Sequence, residues 1–176
     1  VKLFGYARDE VIGKTTLGLA LTRLIPEPPA RIPAGSIRFE GQDLLQLNRD
    51  QLTRVRGGQI AYVFQEPSTS LNPVMTIGSQ VIEALECHTP LRGQDARLRA
   101  EEWLRRVGIP SPEDRLNSFP HELSGGMKQR VMIAMAVACS PKLLVADEPT
   151  TALDVTLERQ IVALLKRLQQ ELELSV

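Results

Sequence analysis

The sequence predicts an α/β fold with a parallel-sheet core, and three observations point to it. Short apolar runs at residues 59–64 and 142–146 are typical of strands buried on both faces of a parallel sheet. Apolar residues recur at helical spacing over residues 16–24 and 157–172, which indicates helices packed on that sheet. Alternating strands and helices favour a layered fold in which ligands bind at the carboxyl ends of the strands.

The composition is that of one soluble globular domain and excludes several classes of protein. The chain has 176 residues, of which 43% are hydrophobic and 24% charged, so it can bury a core. Its 21 Lys and Arg residues equal its 21 Asp and Glu residues, which leaves no basic excess for binding nucleic acid or an anionic membrane. Cys87 and Cys139 match no metal-ligand or disulfide spacing.

The apolar segments predict a cytosolic chain. The longest unbroken apolar run covers nine residues, 131–139, whereas a membrane span needs about 20. No charged start followed by an apolar stretch resembles a signal peptide. The first residue is Val1, and we expect a chain that is cut short at both ends.

A helical insertion is predicted between residues 72 and 122, where the strand patterns disappear. Four apolar residues at helical spacing mark one amphipathic helix there: Ala100, Trp103, Leu104 and Val107. Gly108 and Pro110 are expected to end it. The Pro-rich stretch 26–33 is predicted to be a surface loop.

The segment Gly13-Lys14-Thr15-Thr16 precedes a helical run, as the second half of a phosphate-binding loop does. In such a loop Lys14 reaches the β- and γ-phosphates, and the Thr15 hydroxyl binds Mg²⁺. The first half departs from the pattern, because Arg8 stands where a glycine is expected and Val11 where another is common. A chance occurrence of Gly-Lys-Thr therefore remains an alternative.

Two adjacent carboxylates, Asp147 and Glu148, follow the strand predicted to end at residue 146. A magnesium ion and a water molecule give such a pair a reason to stay charged: Asp147 holds the metal and Glu148 acts as general base. The alternative is a solvated acidic turn at the end of a strand.

Residues 123–130 place Ser124 at a helix N-cap, with Gly125 and Gly126 in the first turn of an almost wholly apolar helix. Exposed N–H groups and the helix dipole make this turn a second anion site. Two glycines weaken a helix, which suits a backbone that must approach a ligand closely. A flexible loop is the alternative.

The Leu-Ser-Gly-Gly-Met segment 123–127 resembles the signature motif of ATP-binding cassette (ABC) proteins, and Asp147-Glu148 falls at the expected distance after it. Gln65 resembles the Q-loop glutamine, and residues 151–154 resemble the D-loop. Residues 64–67 and 70–73 are similar to the Q-loop region of oligopeptide, dipeptide and nickel importer ATPases. Residues 146–154 are also similar to a segment of those ATPases. The resemblance covers nearly the whole chain from Gly13 onward.

The resemblance implies a P-loop NTPase (RecA-like) parallel-sheet core with an inserted α-helical subdomain. Residues 1–70 and 124–176 would form the two parts of the core, and residues 71–123 the helical subdomain. The chain would end before the family's switch histidine, since His88 and His121 lie elsewhere and are interpreted as packing or solvated residues.

The resemblance also implies the ligands, ATP and Mg²⁺, and a head-to-tail pair of such domains with two ATP molecules between them. The implied nucleotide-binding residues are Gly13, Lys14, Thr15, Thr16, Ser124, Gly125, Gly126 and Asp154. Glu148 and Gln65 would act in catalysis, and Thr15, Gln65 and Asp147 would hold Mg²⁺. Ser124, Gly125 and Gly126 would face the nucleotide bound by the partner domain.

The function implied is that of an ATPase subunit that energises import of peptides or similar small solutes. Its partners would be a second cassette domain, the permease subunits and, indirectly, a substrate-binding protein, but no nucleic acid. It would lie peripherally on the cytoplasmic face of the inner membrane, with residues 65 to about 122 against the permease. Two alternatives stay open: a module that cannot bind nucleotide, suggested by Arg8 and Val11, and a non-transport cassette ATPase.

Overall fold

The structure, a computed structural model, describes residues 14–25, 32, 34–65, 70–150 and 153–176. The chain divides into two compact units, Val1–Arg56 and Gly57–Val176. Each unit is described by itself. The division into core and helical subdomain that the sequence suggests remains a prediction.

The first unit contains two helices and a short hairpin. Its elements are α1 (Lys14–Leu21), β1 (Arg38–Phe39), β2 (Gln42–Asp43), a 3₁₀ turn (Leu44–Gln46) and α2 (Arg49–Val55). The hairpin closes through Glu40 and Gly41, both at positive φ (50° and 79°), as a two-residue turn between antiparallel strands requires. Asn48 and Gln51 form a reciprocal capping box that begins α2.

Helix α1 ends three residues earlier than the apolar spacing predicts, at Leu21 rather than Leu24. Arg23 adopts the left-handed conformation (φ 52°), and its N–H donates to the carbonyl of Ala20. The N–H of Leu24 reaches back to the carbonyl of Leu19. These two bonds satisfy the last carbonyls of the helix and stop it, here without the usual glycine.

In the second unit, β3 (Ile60–Val63) and β4 (Leu143–Ala146) pair in parallel, with Ile60 opposite Leu143 and Val63 opposite Ala146. The two predicted strands are therefore confirmed. Ser175 exchanges backbone hydrogen bonds with the other edge of β4, so that β4 has a parallel neighbour on both sides. Only Leu144 is buried in β4, and the other three residues, which include both residues of the opposite face, are partly exposed. The predicted burial of β4 on both faces is therefore not confirmed.

Helices make up most of the second unit, and between residues 72 and 122 the described structure contains no strand. The helices are α3 (Ile77–His88), α4 (Gly93–Arg106), α5 (Pro112–Arg115), a 3₁₀ turn (Pro120–Glu122), α6 (Gly125–Val137) and α7 (Val155–Leu172). The apolar stripe predicted on α7 is buried at its centre: Ile161, Leu164, Leu165 and Leu168. None of the described helices is both long enough and apolar enough to span a bilayer.

Trp103 anchors the helical packing. Its side chain is fully buried, and its indole N–H donates to the carbonyl of Ala138 beyond the end of α6 at 3.2 Å. The guanidinium groups of Arg99 and Arg106 lie over its ring, at 5.3 and 4.4 Å from the centroid. The amphipathic helix predicted around Trp103 is therefore confirmed, and it fixes α4 against α6.

Candidate functional site

The two carboxylates Asp147 and Glu148 lie immediately beyond β4, at the carboxyl end of the parallel pair. The N–H of Asp147 donates to the carbonyl of Val63 at 3.0 Å, which extends the ladder by one bond and fixes the backbone of Asp147. Because β3 runs in the same direction, the residues that follow Val63 reach the same edge of the sheet.

Gln65 and Glu148 are brought together, as the sequence analysis requires if both act on one ligand. The Gln65 amide Nε2 donates to the Glu148 carboxylate Oε2 at 3.0 Å. This bond directs the amide N–H₂ of Gln65 toward Glu148 and leaves the amide oxygen available as a metal ligand. We call Gln65, Asp147 and Glu148 the carboxylate site.

Tyr62 is a member of this neighbourhood that the sequence analysis missed. Its hydroxyl donates to Oδ2 of Asp147 at 3.0 Å. Burial first, and then the hydrogen bond and the charge of Asp147, raise the pKa of Tyr62 to about 12, so the phenol stays neutral and remains a donor at physiological pH. The missed signal was the parallel register, which pairs Tyr62 with Val145, two residues before Asp147.

Glu148 has a left-handed backbone conformation, with φ at 47°. This region is sparsely populated by residues other than glycine, and it persists only where the surrounding structure imposes it. With this backbone conformation, the Glu148 carboxylate accepts the hydrogen bond from Gln65. The backbone thus contributes to the position of the base predicted from sequence.

The donor atoms of the carboxylate site suit a hard cation. Asp147 offers carboxylate oxygen and Gln65 offers amide oxygen, and oxygen ligands in small number are what Mg²⁺ takes from a protein when substrate phosphates and water complete its shell. Among the described residues no group of three or more His, Cys, Asp or Glu side chains is arranged to hold a metal by itself. The oxygen donors of Asp147 and Gln65 are of the kind that would hold a magnesium ion together with phosphate and water.

Residues 124–126, which we call the glycine turn, begin α6. Ser124 is the N-cap, and its Oγ accepts a hydrogen bond from the Met127 N–H at 3.3 Å, as predicted. Neither the Gly125 nor the Gly126 N–H has an acceptor within the described part of the chain. Ser124 and Gly125 are exposed, so the start of this 13-residue helix faces solvent.

The two glycines of the turn have different surroundings. A Cβ built on Gly125 would meet nothing within 4 Å, whereas one on Gly126 would lie 3.1 Å from Cδ2 of Leu157 in α7. Gly126 thus allows α6 to approach the first turn of α7, while Gly125 leaves open space in front of the helix.

Asp154 begins α7 as its N-cap. Its Oδ1 accepts hydrogen bonds from the N–H groups of Thr156 and Leu157, both at 2.9 Å. Thr151 and Ala152, which belong to the same D-loop-like segment, lie outside the described residues. The structure assigns Asp154 a capping role and leaves its contact with nucleotide a prediction.

Lys14, Thr15 and Thr16 form the first turn of α1 in the first unit, and the side chains of Thr15 and Thr16 are exposed. Gly13 and the altered positions Arg8 and Val11 lie outside the described residues. A helix is confirmed here, but it begins at Lys14, two residues before the start at Thr16 that the apolar spacing predicts. The predicted nucleotide contacts remain predictions.

An apolar cavity of about 460 Å³ lies in the second unit between β3, α3 and α6. Its lining is Gly57, Ala61, Tyr62, Phe64, Ser70, Leu71, Ala84, His88, Met132, Met135, Ala136 and Cys139. Phe64, immediately before Gln65, is 42% exposed at this cavity, and its ring lies 4.5 Å from that of Tyr62.

Both histidines agree with the structural roles expected from sequence. His88 packs on Gly57, where an added Cβ would lie 2.4 Å from its Nε2, and burial lowers its pKa. His121 is exposed and stacks on Phe119 with the ring centroids 5.7 Å apart. Neither lies among the residues of the carboxylate site.

Comparison with known proteins gives consistent results. A family model described as ABC transporter matches residues 12–151. The chain is 52% identical over 164 residues to the oligopeptide transport ATP-binding protein OppD of Bacillus subtilis, covering 93% of this chain and 46% of the relative. It is 48% identical over 170 residues to the dipeptide transport ATP-binding protein DppD of Escherichia coli, covering 97% of this chain and 52% of that protein. The chain thus spans about half the length of these curated relatives.

Solved structures resemble the model over most of its length. The dimeric ATP-binding cassette MJ0796, in a post-hydrolysis state bound to ADP and phosphate, superposes with a TM-score of 0.76 at 32% identity. The match covers 90% of this chain and 66% of that one. CbiO1 of Clostridium perfringens, part of an ABC transporter complex, gives a TM-score of 0.74 at 30% identity, with 93% and 60% of the two chains covered.

Proposed function

Because this chain belongs to the ABC transporter family, we propose that it binds and hydrolyses ATP to energise import of peptides or similar small solutes. The observation that carries the proposal is the pairing of Gln65 with Glu148 beside Asp147 at the carboxyl end of a parallel strand pair. The names of the relatives, for oligopeptide and dipeptide transport, support the class of cargo.

In the proposed reaction Glu148 is the general base. It accepts a proton from a water molecule as the water oxygen bonds to the γ-phosphorus, and the bond from phosphorus to the ADP oxygen breaks. The Gln65 amide holds the Glu148 carboxylate in place through its 3.0 Å bond. Asp147, the Gln65 amide oxygen and the Thr15 hydroxyl would hold Mg²⁺, which would neutralise phosphate charge.

Phosphate binding is assigned to the start of α1. Gly13, Lys14, Thr15 and Thr16 would surround the β- and γ-phosphates, with the Lys14 ammonium and the first-turn N–H groups as donors. The exposure of Thr15 and Thr16 supports this assignment, since a ligand can reach both side chains.

A second cassette domain is the proposed partner of the glycine turn. The amides of Gly125 and Gly126, which have no acceptor among the described residues, would bind the γ-phosphate held by that domain, with Ser124 beside them. Ser124 and Gly125 are exposed, whereas Gly126 is buried. Asp154 would lie next to the same nucleotide. The solved MJ0796 cassette is dimeric, which supports a pair of cassette domains.

The permease is the proposed occupant of the apolar cavity. The cavity is lined by the end of β3 and by α3 and α6, and the exposed Phe64 adjoins Gln65 of the carboxylate site. An apolar side chain from a cytoplasmic permease segment would fit such a space. The protein would then lie peripherally on the cytoplasmic face of the inner membrane, with a substrate-binding protein as an indirect partner. The balanced charge of the chain speaks against nucleic acid.

The test of nucleotide binding uses Lys14→Ala in the full-length protein, with Lys166→Ala as the matched control at an exposed lysine of α7. We expect Lys14→Ala to lower ATP affinity at least about tenfold, because an ammonium that contacts two phosphates is lost. Lys166→Ala should bind like the wild type in a titration with a fluorescent ATP analogue. Equal affinity of Lys14→Ala and wild type would contradict the proposed phosphate site.

A nucleotide-incompetent module is the second candidate, favoured by Arg8 and Val11 at positions where the family has glycine. The same titration separates the two functions, since that module would bind no ATP in the wild type. Import is tested by uptake of labelled oligopeptides in cells that lack the gene and carry either the wild type or Glu148→Gln. Restored uptake by the wild type alone supports the proposed role.

A further inference from the structure

We propose that Tyr62 is a positioning residue for Asp147 and that it links the magnesium carboxylate to the wall of the apolar cavity. The inference rests on the proposed function, in which Asp147 holds Mg²⁺. It concerns this chain's own tyrosine and is carried by two contacts of one side chain, made at opposite ends.

The first contact is the hydroxyl, which donates to Oδ2 of Asp147 at 3.0 Å. The backbone of Asp147 is already fixed by its N–H bond to Val63, so the remaining freedom of the carboxylate lies in its side-chain torsions. A hydrogen bond to Oδ2 restricts those torsions, and Oδ1 would be the oxygen that binds a metal. Partners of this kind around metal ligands set the affinity of a metal site.

The second contact is the ring, which forms part of the cavity lining together with Phe64. Tyr62 and Phe64 are two residues apart along an extended chain, so their side chains lie on the same face. Their ring centroids are 4.5 Å apart at an interplanar angle of 38°. Anything that enters the cavity and moves the exposed Phe64 ring therefore presses on the ring of Tyr62.

A packing role alone does not account for a tyrosine here. The ring of Tyr62 lies in the apolar lining of the cavity beside Phe64, and a phenylalanine would fill the same space without a polar group to bury. Among the described residues, the bond to Asp147 is the hydrogen bond that the hydroxyl makes. Because the ring is rigid, a displacement of the Tyr62 ring at the cavity would also move its hydroxyl and thus the Asp147 carboxylate.

The first experiment is a titration of the full-length protein with Mg²⁺ at fixed fluorescent ATP analogue, for wild type and Tyr62→Phe. We expect the Mg²⁺ concentration for half-maximal tightening to rise about tenfold in Tyr62→Phe. Nucleotide affinity in EDTA should stay within about twofold of wild type, because the phosphate contacts are untouched. A merely structural defect would weaken both measurements alike.

A double-mutant cycle with Asp147→Asn shows whether the effect passes through Asp147. In the Asp147→Asn background, Tyr62→Phe should change the Mg²⁺ dependence by less than about twofold. A full tenfold change in that background would overturn the inference. Tyr62→Met, which keeps bulk without a donor, provides a second variant in case Tyr62→Phe melts at a much lower temperature.

The cavity end is tested with Phe64→Leu, matched by Phe119→Leu at another exposed aromatic ring. Phe64→Leu should shift the Mg²⁺ dependence about threefold when Tyr62 is present and have no effect on Tyr62→Phe, since the path through the hydroxyl is then already broken. Phe119→Leu should leave the dependence unchanged. Equal effects of the two leucine variants would contradict the link.

The outcomes separate this inference from the proposed function. A wild type that binds no ATP in EDTA or in Mg²⁺ overturns the proposed function. A wild type whose binding tightens with Mg²⁺, but whose Tyr62→Phe variant gives the same titration curve or a tighter one, overturns the role of Tyr62 and leaves the ATPase assignment intact.

Discussion

The carboxylate site and the glycine turn both belong to the second unit, and they differ in how their polar groups are satisfied. In the carboxylate site each acidic side chain has a partner within the chain: Tyr62 donates to Asp147 and Gln65 donates to Glu148. In the glycine turn the amides of Gly125 and Gly126 have no acceptor within the described residues, and the helix start is exposed.

The difference indicates which part of the site is assembled in advance. Internal hydrogen bonds orient the acidic groups before any ligand arrives, which lowers the cost of binding and of reaching the transition state. The glycine turn has donors without an acceptor among the described residues. In the proposed function, the carboxylate site would carry out the chemistry and the glycine turn would bind the nucleotide of the partner domain.

The largest expected effect is that of Glu148→Gln, which tests the role of the carboxylate site. We expect ATP turnover to fall about 10²- to 10⁴-fold, because the amide cannot accept the proton, while ATP binding is retained. The measurement is phosphate release at saturating ATP alongside a binding titration, with Glu113→Gln as a control at an exposed carboxylate of α5. Turnover within threefold of wild type would remove Glu148 from the role of base.

The two thiols show the same contrast between a group satisfied inside the chain and an open one. Cys139 donates to the carbonyl of Ala84, and burial, followed by the charge of nearby Cys87, raises the pKa of the Cys139 thiol to about 11. Cys87 is exposed.

Alkylation by iodoacetamide at pH 8 should therefore be slower by at least about tenfold at the partly buried Cys139 than at the exposed Cys87, because only the thiolate reacts. The rate at Cys139 should rise with pH and reach half of its maximum near pH 11, where that thiol is half ionised. Cys87→Ser and Cys139→Ser, each with one of the two thiols left, give the separate rates by mass spectrometry. Similar rates at pH 8 would show that Cys139 is not protected.

Gly125→Ala tests whether the glycine turn binds a group from outside the chain. A methyl group there meets nothing in this chain and favours the helix, so stability should stay constant or rise by up to about 1 kcal/mol. The same methyl enters the space proposed for the partner's phosphate, and turnover should fall about tenfold or more.

Gly126→Ala is the matched variant, because its Cβ would lie 3.1 Å from Leu157 and should lower stability by about 1 kcal/mol. Thermal melting and phosphate release on both proteins test the pair. A Gly125→Ala protein with full turnover would show that nothing binds in front of the turn.

Ser124→Ala is expected to have the smallest effect. Loss of the cap to Met127 should lower the free energy of unfolding by about 1 kcal/mol, and Ser124→Asn, which keeps a cap acceptor, should stay close to wild type. Urea unfolding followed by circular dichroism gives both values. Equal loss in the two variants would mean that the hydroxyl has another role.

The predicted fold class is confirmed by the cassette structures that superpose on this chain. Particular elements explain why the fold class could be predicted from the sequence. Strands β3 and β4 are continuous apolar runs, and α7 has a regular stripe, so their periods were visible. The hairpin of β1 and β2 was not predicted, because Glu40-Gly41 is a weaker turn sequence than Asn-Gly. The end of α1 was placed too late because an arginine, Arg23, takes the position where glycine is usual.

Asp147, Glu148 and the cap Ser124 could be predicted because each role follows from the residue type and its position next to a predicted strand or helix. Tyr62 was missed because its role depends on which strand lies beside β3, and that pairing is a long-range property. The amide of Gln65 was expected to act on a ligand, yet its bond to Glu148 is visible only in three dimensions.

The positive φ of Glu148 limits which residues can replace it without a change in the backbone of the turn. Gly, Asn and Asp tolerate that backbone, whereas Val, Ile and Thr do not, because their branched Cβ clashes there. Homologues that abandon hydrolysis while keeping the fold should therefore carry the former set at this position. A β-branched residue at this position would indicate that the backbone of the turn has changed, and not only that hydrolysis has been lost.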